Sequence, residues 1–173
     1  MIIIIGAGLS GLTLARYLQS RNVPFRIFDQ SDAQRPQGYG LTMRKRAIEG
    51  LLPILGICEE SFRTAVAVDR KDGAIDSQII DMVTGEMANV SPYSSEAIKD
   101  FRCNRKRLRL MIQGSLKIEF NHKLTSIRED NDAVVASFAN GAEVSGDLLV
   151  AADGLHSFGK LLHNRHCSIS YLY

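Results

Sequence analysis

The chain has 173 residues, 21 Lys and Arg against 19 Asp and Glu, 45% hydrophobic and 23% charged residues, and a formal net charge of +2. That length and composition suit one globular domain with a full hydrophobic core, and so small a charge gives no electrostatic case for nucleic acid or an anionic membrane surface. Cys58, Cys103 and Cys167 share no motif spacing, and their odd number argues against a disulfide framework and for a reducing, cytoplasmic setting.

The first element is the β-branched run at residues 2–5, suited to a strand buried on both faces. It is too short for a signal-peptide core, and no stretch of the chain is long and apolar enough for a transmembrane helix. Glycines follow, then "LSGLTLARYLQSRN", where Leu14 and Leu18 stand four apart beside Leu12 and Ala15 while Arg16, Gln19 and Ser20 can face water. This pattern predicts an amphipathic helix, with Asn22 as a left-handed cap. "PFRIFD" predicts a second strand ending at Asp29, so the chain opens with a βαβ unit and a parallel sheet.

Residues 30–43, rich in Gly, Pro and polar side chains, read as an irregular loop, and residues 44–55 as a short helix interrupted near Pro53. From Phe62 to Asn89 the turn sequences "KDG" and "TGE" predict antiparallel strands. "NRKRLRLMIQG" predicts a helix with Leu108, Met111 and Ile112 on one face and Gly114 as its stop. "LKIEF", "LTSIRED", "AVVASFANG" and "DLLVAA" read as short strands. The separators "EDND" and "ANGAE" imply a small antiparallel meander before the last strand returns to the parallel sheet.

The chemistry is concentrated at "IIIIGAGLSG", which places Gly6, Gly8 and Gly11 in a G-x-G-x-x-G pattern. The first glycine suits a tight turn out of the strand. The second allows close backbone approach to a pyrophosphate, and the third allows close helix–strand packing. A helix N-terminus then offers N–H groups and partial positive charge to the phosphates. Asp29, at the end of the next strand, can accept hydrogen bonds from a ribose 2′-OH and would repel a 2′-phosphate. A dinucleotide with an unphosphorylated adenosine ribose fits, and FAD and NAD both qualify.

Taken in order, this motif, "QGYGL", "NRKRLR" and "GDLLVAADGLHSFGK" resemble the flavoprotein aromatic hydroxylases, a family of FAD-dependent monooxygenases that includes salicylate-hydroxylase-like enzymes. The resemblance implies a Rossmann-like FAD-binding domain with a parallel sheet and a β-meander. It also implies FAD as cofactor, NAD(P)H as co-substrate, and hydroxylation of a small aromatic or cyclic organic molecule. It further implies that Asp153 and Gly154 help bind FAD, with Ser157 and Lys160 on the remaining places of the Asp-Gly motif. Members more often carry Arg where Lys160 stands. Arg105 matches the arginine that reaches the FAD pyrophosphate region, and Gly38 and Gly40 match a loop near the flavin. No catalytic acid or base is named by the resemblance.

The resemblance covers residues 1–160, with a partial substrate-side segment over about 62–100. It does not extend to residues 161–173, where the family's second motif, Gly-Asp followed by small residues and His, has no counterpart. The expectation is a truncated FAD-binding domain whose flavin ring lacks one wall, with little hydroxylation by this length of chain alone. Two other readings stay open at this stage, a non-catalytic FAD-binding fragment and a related flavoprotein oxidoreductase. His163, His166 and Cys167 lack a fourth ligand and a scaffold, so no metal site is expected.

Overall fold

A computed structural model of the chain describes residues 1–32, 38–68, 78–80, 83–89, 100–130, 133–154 and 170–171. The chain divides into two compact units, one formed by Met1–Gln37 with Arg109–Tyr173 and the other by Gly38–Leu108.

The first unit is built on five parallel strands. The apolar run forms β1 (Ile2–Ile5), the following helix is α1 (Leu9–Ser20), and β2 (Phe25–Phe28) ends one residue before Asp29. Asn22 takes the left-handed conformation, φ 56°, that turns the chain from α1 toward β2. The strands of the other unit are β3 (Gly40–Met43), β4 (Gln78–Ile80), β5 (Met87–Asn89) and β6 (Phe101–Asn104). The first unit resumes with β7 (Ile118–Glu119), β8 (Leu124–Asp130), β9 (Ala133–Phe138), β10 (Glu143–Gly146), β11 (Leu148–Ala151) and β12 (Ser170–Tyr171). The sheet order is β12-β11-β1-β2-β7, with Ile2 opposite both Phe25 and Leu148. The central strand is therefore the first one in the chain. Both of its neighbours saturate its backbone, which is why an unbroken Ile run is tolerated there.

Strands β8, β9 and β10 form the expected antiparallel meander, in the order β10-β9-β8. It shares a core with the parallel sheet: Ile3, Ile5, Phe28 and Leu149 pack with Leu124, Val134, Ala136, Phe138 and Val144. The run "LKIEF", grouped with the meander by sequence, instead lays β7 beside β2 in the parallel sheet. A bidentate pair reinforces that edge, Arg26 Nε and Nη2 donating to the two Glu119 carboxylate oxygens at 2.8 and 2.7 Å.

In the second unit β3 pairs antiparallel with β6, and β4 with β5. Its helices are α2 (Lys45–Leu55) and α3 (Glu59–Val66), and α4 (Arg105–Gln113) begins in this unit. Three sequence expectations are corrected here. Residues 40–43 of the supposed loop form β3, because β6 supplies its hydrogen-bond partners. Helix α2 continues through Pro53 to Leu55 and stops at Gly56, φ 66°. A proline this near the end forfeits little of the hydrogen-bond ladder. Residues 62–66 are helical rather than extended. Glu59 and Glu60 occupy the first turn of α3, Arg63 bonds Glu59 at 2.6 Å, and Phe62 and Val66, four apart, are both buried. Asp100 caps the start of α2, accepting from the Lys45 N–H and from Arg44 Nη1, each at 2.8 Å.

The hairpin partner of "TGE" is present as β4–β5, whereas "KDG" lies outside the described residues, as does most of the segment 62–100 beyond Val68. Among the described residues no helix is long and apolar enough to cross a membrane.

Candidate functional site

Beyond the carboxyl end of β1, the chain turns at Gly6 with φ 104°, a conformation that L side chains rarely adopt. The space is closed as well. A Cβ on Gly6 would lie 2.3 Å from the Ala152 carbonyl oxygen and 2.9 Å from the Asp153 Cα. A Cβ on Gly11, in the first turn of α1, would lie 2.0 Å from the Gly6 carbonyl oxygen. The first and third glycines of the motif are thus contact glycines. Gly8 differs, because nothing among the described residues stands within 4 Å of where its Cβ would be. It is the N-cap of α1 and no side chain caps the helix, so backbone alone is presented at the positive end of the helix dipole.

Strand β11 brings the Asp-Gly stretch to the same place. The Ala152 N–H donates to the Ile5 carbonyl at 2.7 Å, extending the ladder one residue past the strand, and Asp153 follows directly. Gly154 turns away at φ 86° with open space around it. The two motifs that stand at opposite ends of the sequence therefore touch, the glycine loop resting on Ala152 and Asp153.

Asp29 is the third component. Among the described residues it is the one buried polar side chain in an otherwise apolar core, 6% exposed. Its Oδ2 accepts the Ala7 N–H at 2.7 Å and its Oδ1 accepts the Ser31 N–H at 2.9 Å and the Ser31 hydroxyl. Its own backbone is held between Glu119 and His122, each at 2.9 Å. The sequence reading assigned Asp29 to a ribose hydroxyl. In the structure the carboxylate also fastens the glycine loop to the end of β2.

Sequence reasoning missed a fourth component. Arg109 Nε donates to the Ala7 carbonyl at 3.1 Å, whereas the resemblance points to Arg105 as the cofactor-facing arginine. Its place four residues after Arg105 on a helix was the available signal.

Gly38, Gly40 and Arg105 belong to the other unit, where Tyr39 links them. The Arg105 N–H donates to the Tyr39 carbonyl at 3.0 Å, and its guanidinium carbon lies 5.4 Å from the Tyr39 ring centroid. Gly38 and Gly40 flank that tyrosine, are exposed, and are crowded by nothing nearer than 4.0 Å. Ser157, Lys160, His163, His166 and Cys167 lie outside the described residues.

Comparison with known proteins bears on the family and the fold. Residues 1–162 match the model of the FAD binding domain family. The chain is 38% identical over 164 residues to the FAD-dependent monooxygenase adaC of Aspergillus niger, covering 90% of this chain and 39% of that protein. It is 36% identical over 164 residues to the FAD-dependent monooxygenase nscC of Trichophyton equinum, covering 92% of that shorter relative. Most of the similar curated relatives are longer, and the chain spans about two fifths of them. Among solved structures, Klebsiella pneumoniae HpxO complexed with FAD and uric acid aligns with a TM-score of 0.68 at 22% identity, over 91% of this chain and 40% of that one. That likeness concerns the fold.

Proposed function

The chain belongs to the FAD-binding domain family found in FAD-dependent monooxygenases, and from that premise we propose that its glycine loop receives the FAD pyrophosphate and that the whole protein hydroxylates a small aromatic or cyclic organic substrate with NAD(P)H and O₂. The observation that carries this reading is the open face at Gly8. Its neighbours Gly6 and Gly11 are packed against backbone, while Gly8 fronts empty space at an uncapped helix start. Such an arrangement suits a phosphate group. Asp29 suits the adenosine ribose, since a sugar hydroxyl offers the same kind of donor that Ser31 Oγ supplies to Oδ1. Asp153 and Gly154, at the carboxyl end of a parallel strand, stand where ligands of open α/β sheets bind. Arg105, Gly38 and Gly40 are proposed cofactor contacts from the second unit.

When bound, the flavin supplies the redox chemistry: reducing equivalents from NAD(P)H, one oxygen atom of O₂ inserted into the substrate and the other released as water. The residues of this chain bind and orient the dinucleotide. The test is flavin fluorescence titration, followed by NAD(P)H consumption, peroxide release and product analysis over a panel of phenols. Saturable FAD binding by this chain, and NAD(P)H-dependent formation of a hydroxylated product by the whole protein, are expected. Substrate oxidation without oxygen insertion would move the protein to another class of flavoprotein oxidoreductase. Absence of FAD binding by the folded chain would overturn the reading altogether.

A further inference from the structure

Ala7 is held from both sides. Its N–H is accepted by Asp29 Oδ2 at 2.7 Å, and its carbonyl accepts from Arg109 Nε at 3.1 Å. The carbonyl belongs to the Ala7–Gly8 peptide, and no peptide bond among the described residues is cis. In a trans peptide the C=O and the next N–H point in opposite directions. Fixing the Ala7 carbonyl on Arg109 therefore aims the Gly8 N–H away from Arg109. A glycine at that position has no side chain to hold its peptide plane by packing, so an outside anchor matters more here than elsewhere.

A second arginine holds the two helices together from the other end. Arg16 of α1 donates through Nε to the Ile112 carbonyl in the last turn of α4 at 2.6 Å. Gly114 makes room for it, since a Cβ there would lie 1.8 Å from Arg16 Nη2. The two contacts are alike in chemistry and differ in target. Arg16 grips a helix end, whereas Arg109 grips the loop itself.

We propose that Arg109 is the positioning residue of the glycine loop, setting through the Ala7 carbonyl the direction of the Gly8 N–H that meets the cofactor pyrophosphate. This rests on the FAD reading above. It makes a distinctive demand, because the donor atom rather than the positive charge carries the effect. Glutamine places its amide nitrogen the same number of bonds from Cα as arginine Nε, without charge. Lysine keeps the charge but has a methylene at that place.

The experiment titrates the full chain with ADP by calorimetry and with FAD by fluorescence, for wild type, Arg109→Met, Arg109→Gln, Arg109→Lys and Arg16→Met. Thermal midpoints are recorded alongside. Loss of the anchor in Arg109→Met and Arg109→Lys is expected to weaken both ligands about tenfold. Arg109→Gln should stay within about threefold of wild type, and Arg16→Met within about twofold. If Arg109→Met does not fold, the Lys and Gln variants decide the matter between them. The proposal is overturned if Arg109→Met binds like wild type, if Lys preserves affinity and Gln does not, or if Arg16→Met loses as much as Arg109→Met. Wild type that binds neither ADP nor FAD would instead overturn the FAD reading, and this inference with it.

Discussion

The two sets of glycines assigned to the cofactor are built in opposite ways. Gly6 and Gly11 are wedged against backbone, and the residues around them are tied down by Asp29, Arg109 and the end of β11. Gly38 and Gly40 lie exposed at the start of β3, with no close atoms, beside an arginine that rests on a tyrosine. The first set is part of the fold, so its chemistry cannot be altered without disturbing structure. The second has room for an added side chain, with no atom nearer than 4.0 Å among the described residues. Phosphate binding needs fixed N–H groups, which the packed set is built to hold.

The sharpest way to break this contrast is a methyl group. Gly11→Ala puts a Cβ into the Gly6 carbonyl and should cost about 3 kcal/mol or more, or abolish folding. Gly40→Ala should stay within about 0.5 kcal/mol. Urea denaturation of both variants measures the difference, and equal costs would erase the distinction drawn here. Asp29→Ala comes next. It strands the buried Ala7 N–H, so we expect about 1–3 kcal/mol of lost stability without any ligand, together with weaker FAD binding. Weakened binding at unchanged stability would assign Asp29 to the ribose alone.

Arg105→Ala tests the other side. Stability should fall by less than about 1 kcal/mol, the size of an exposed cation–π contact, while FAD affinity falls about tenfold if the side chain serves the cofactor. A fluorescence titration alongside a melting curve separates the two. The smallest effect is expected at the sheet edge. The hydrogen bond from Arg26 holds the Glu119 carboxyl below its ordinary value of 4.5. A depressed folded-state pKa contributes stability above the unfolded value and loses it as pH falls through the folded one. Both side chains are partly exposed, so the pair is worth at most about 1 kcal/mol. The stability gap between wild type and Glu119→Gln should therefore be present at neutral pH and close in acid; a gap independent of pH would remove the ion pair as its cause.

How much of this was legible in the sequence depends on where each partner lies. The β1–α1–β2 unit was readable because its signals are local: an Ile run, three glycines, a helical stripe, and Asn22 where a left-handed turn is needed. The meander was readable from its turn residues. Strand β3 was not, since "GLTM" sits in polar, glycine-rich surroundings and exists only because β6 pairs with it. Helix α3 was passed over although Glu59, Glu60 and Arg63 marked it, because the run after Phe62 was read for strand turns further on. In the candidate site the glycines and Asp29 could be found by spacing. Arg109 offered only its place one helical turn after Arg105, because its partner is a main-chain carbonyl, and carbonyls leave no mark in a sequence.

The pairing of Ile2 with Leu148 has a consequence for how the protein is made. Strand β1 leaves the ribosome well before β11 and waits through the synthesis of the whole second unit until that partner arrives. Closing so long a loop is slow compared with forming local hairpins and helices. The contiguous segment Gly38–Leu108 can begin to fold while β1 and β2 still lack their third strand. The seat of Gly6 on Ala152 is then among the last features to form. A dinucleotide that touches both the glycine loop and the Asp153 end binds only the finished arrangement, and by mass action it would hold closed the ring between β1 and β11.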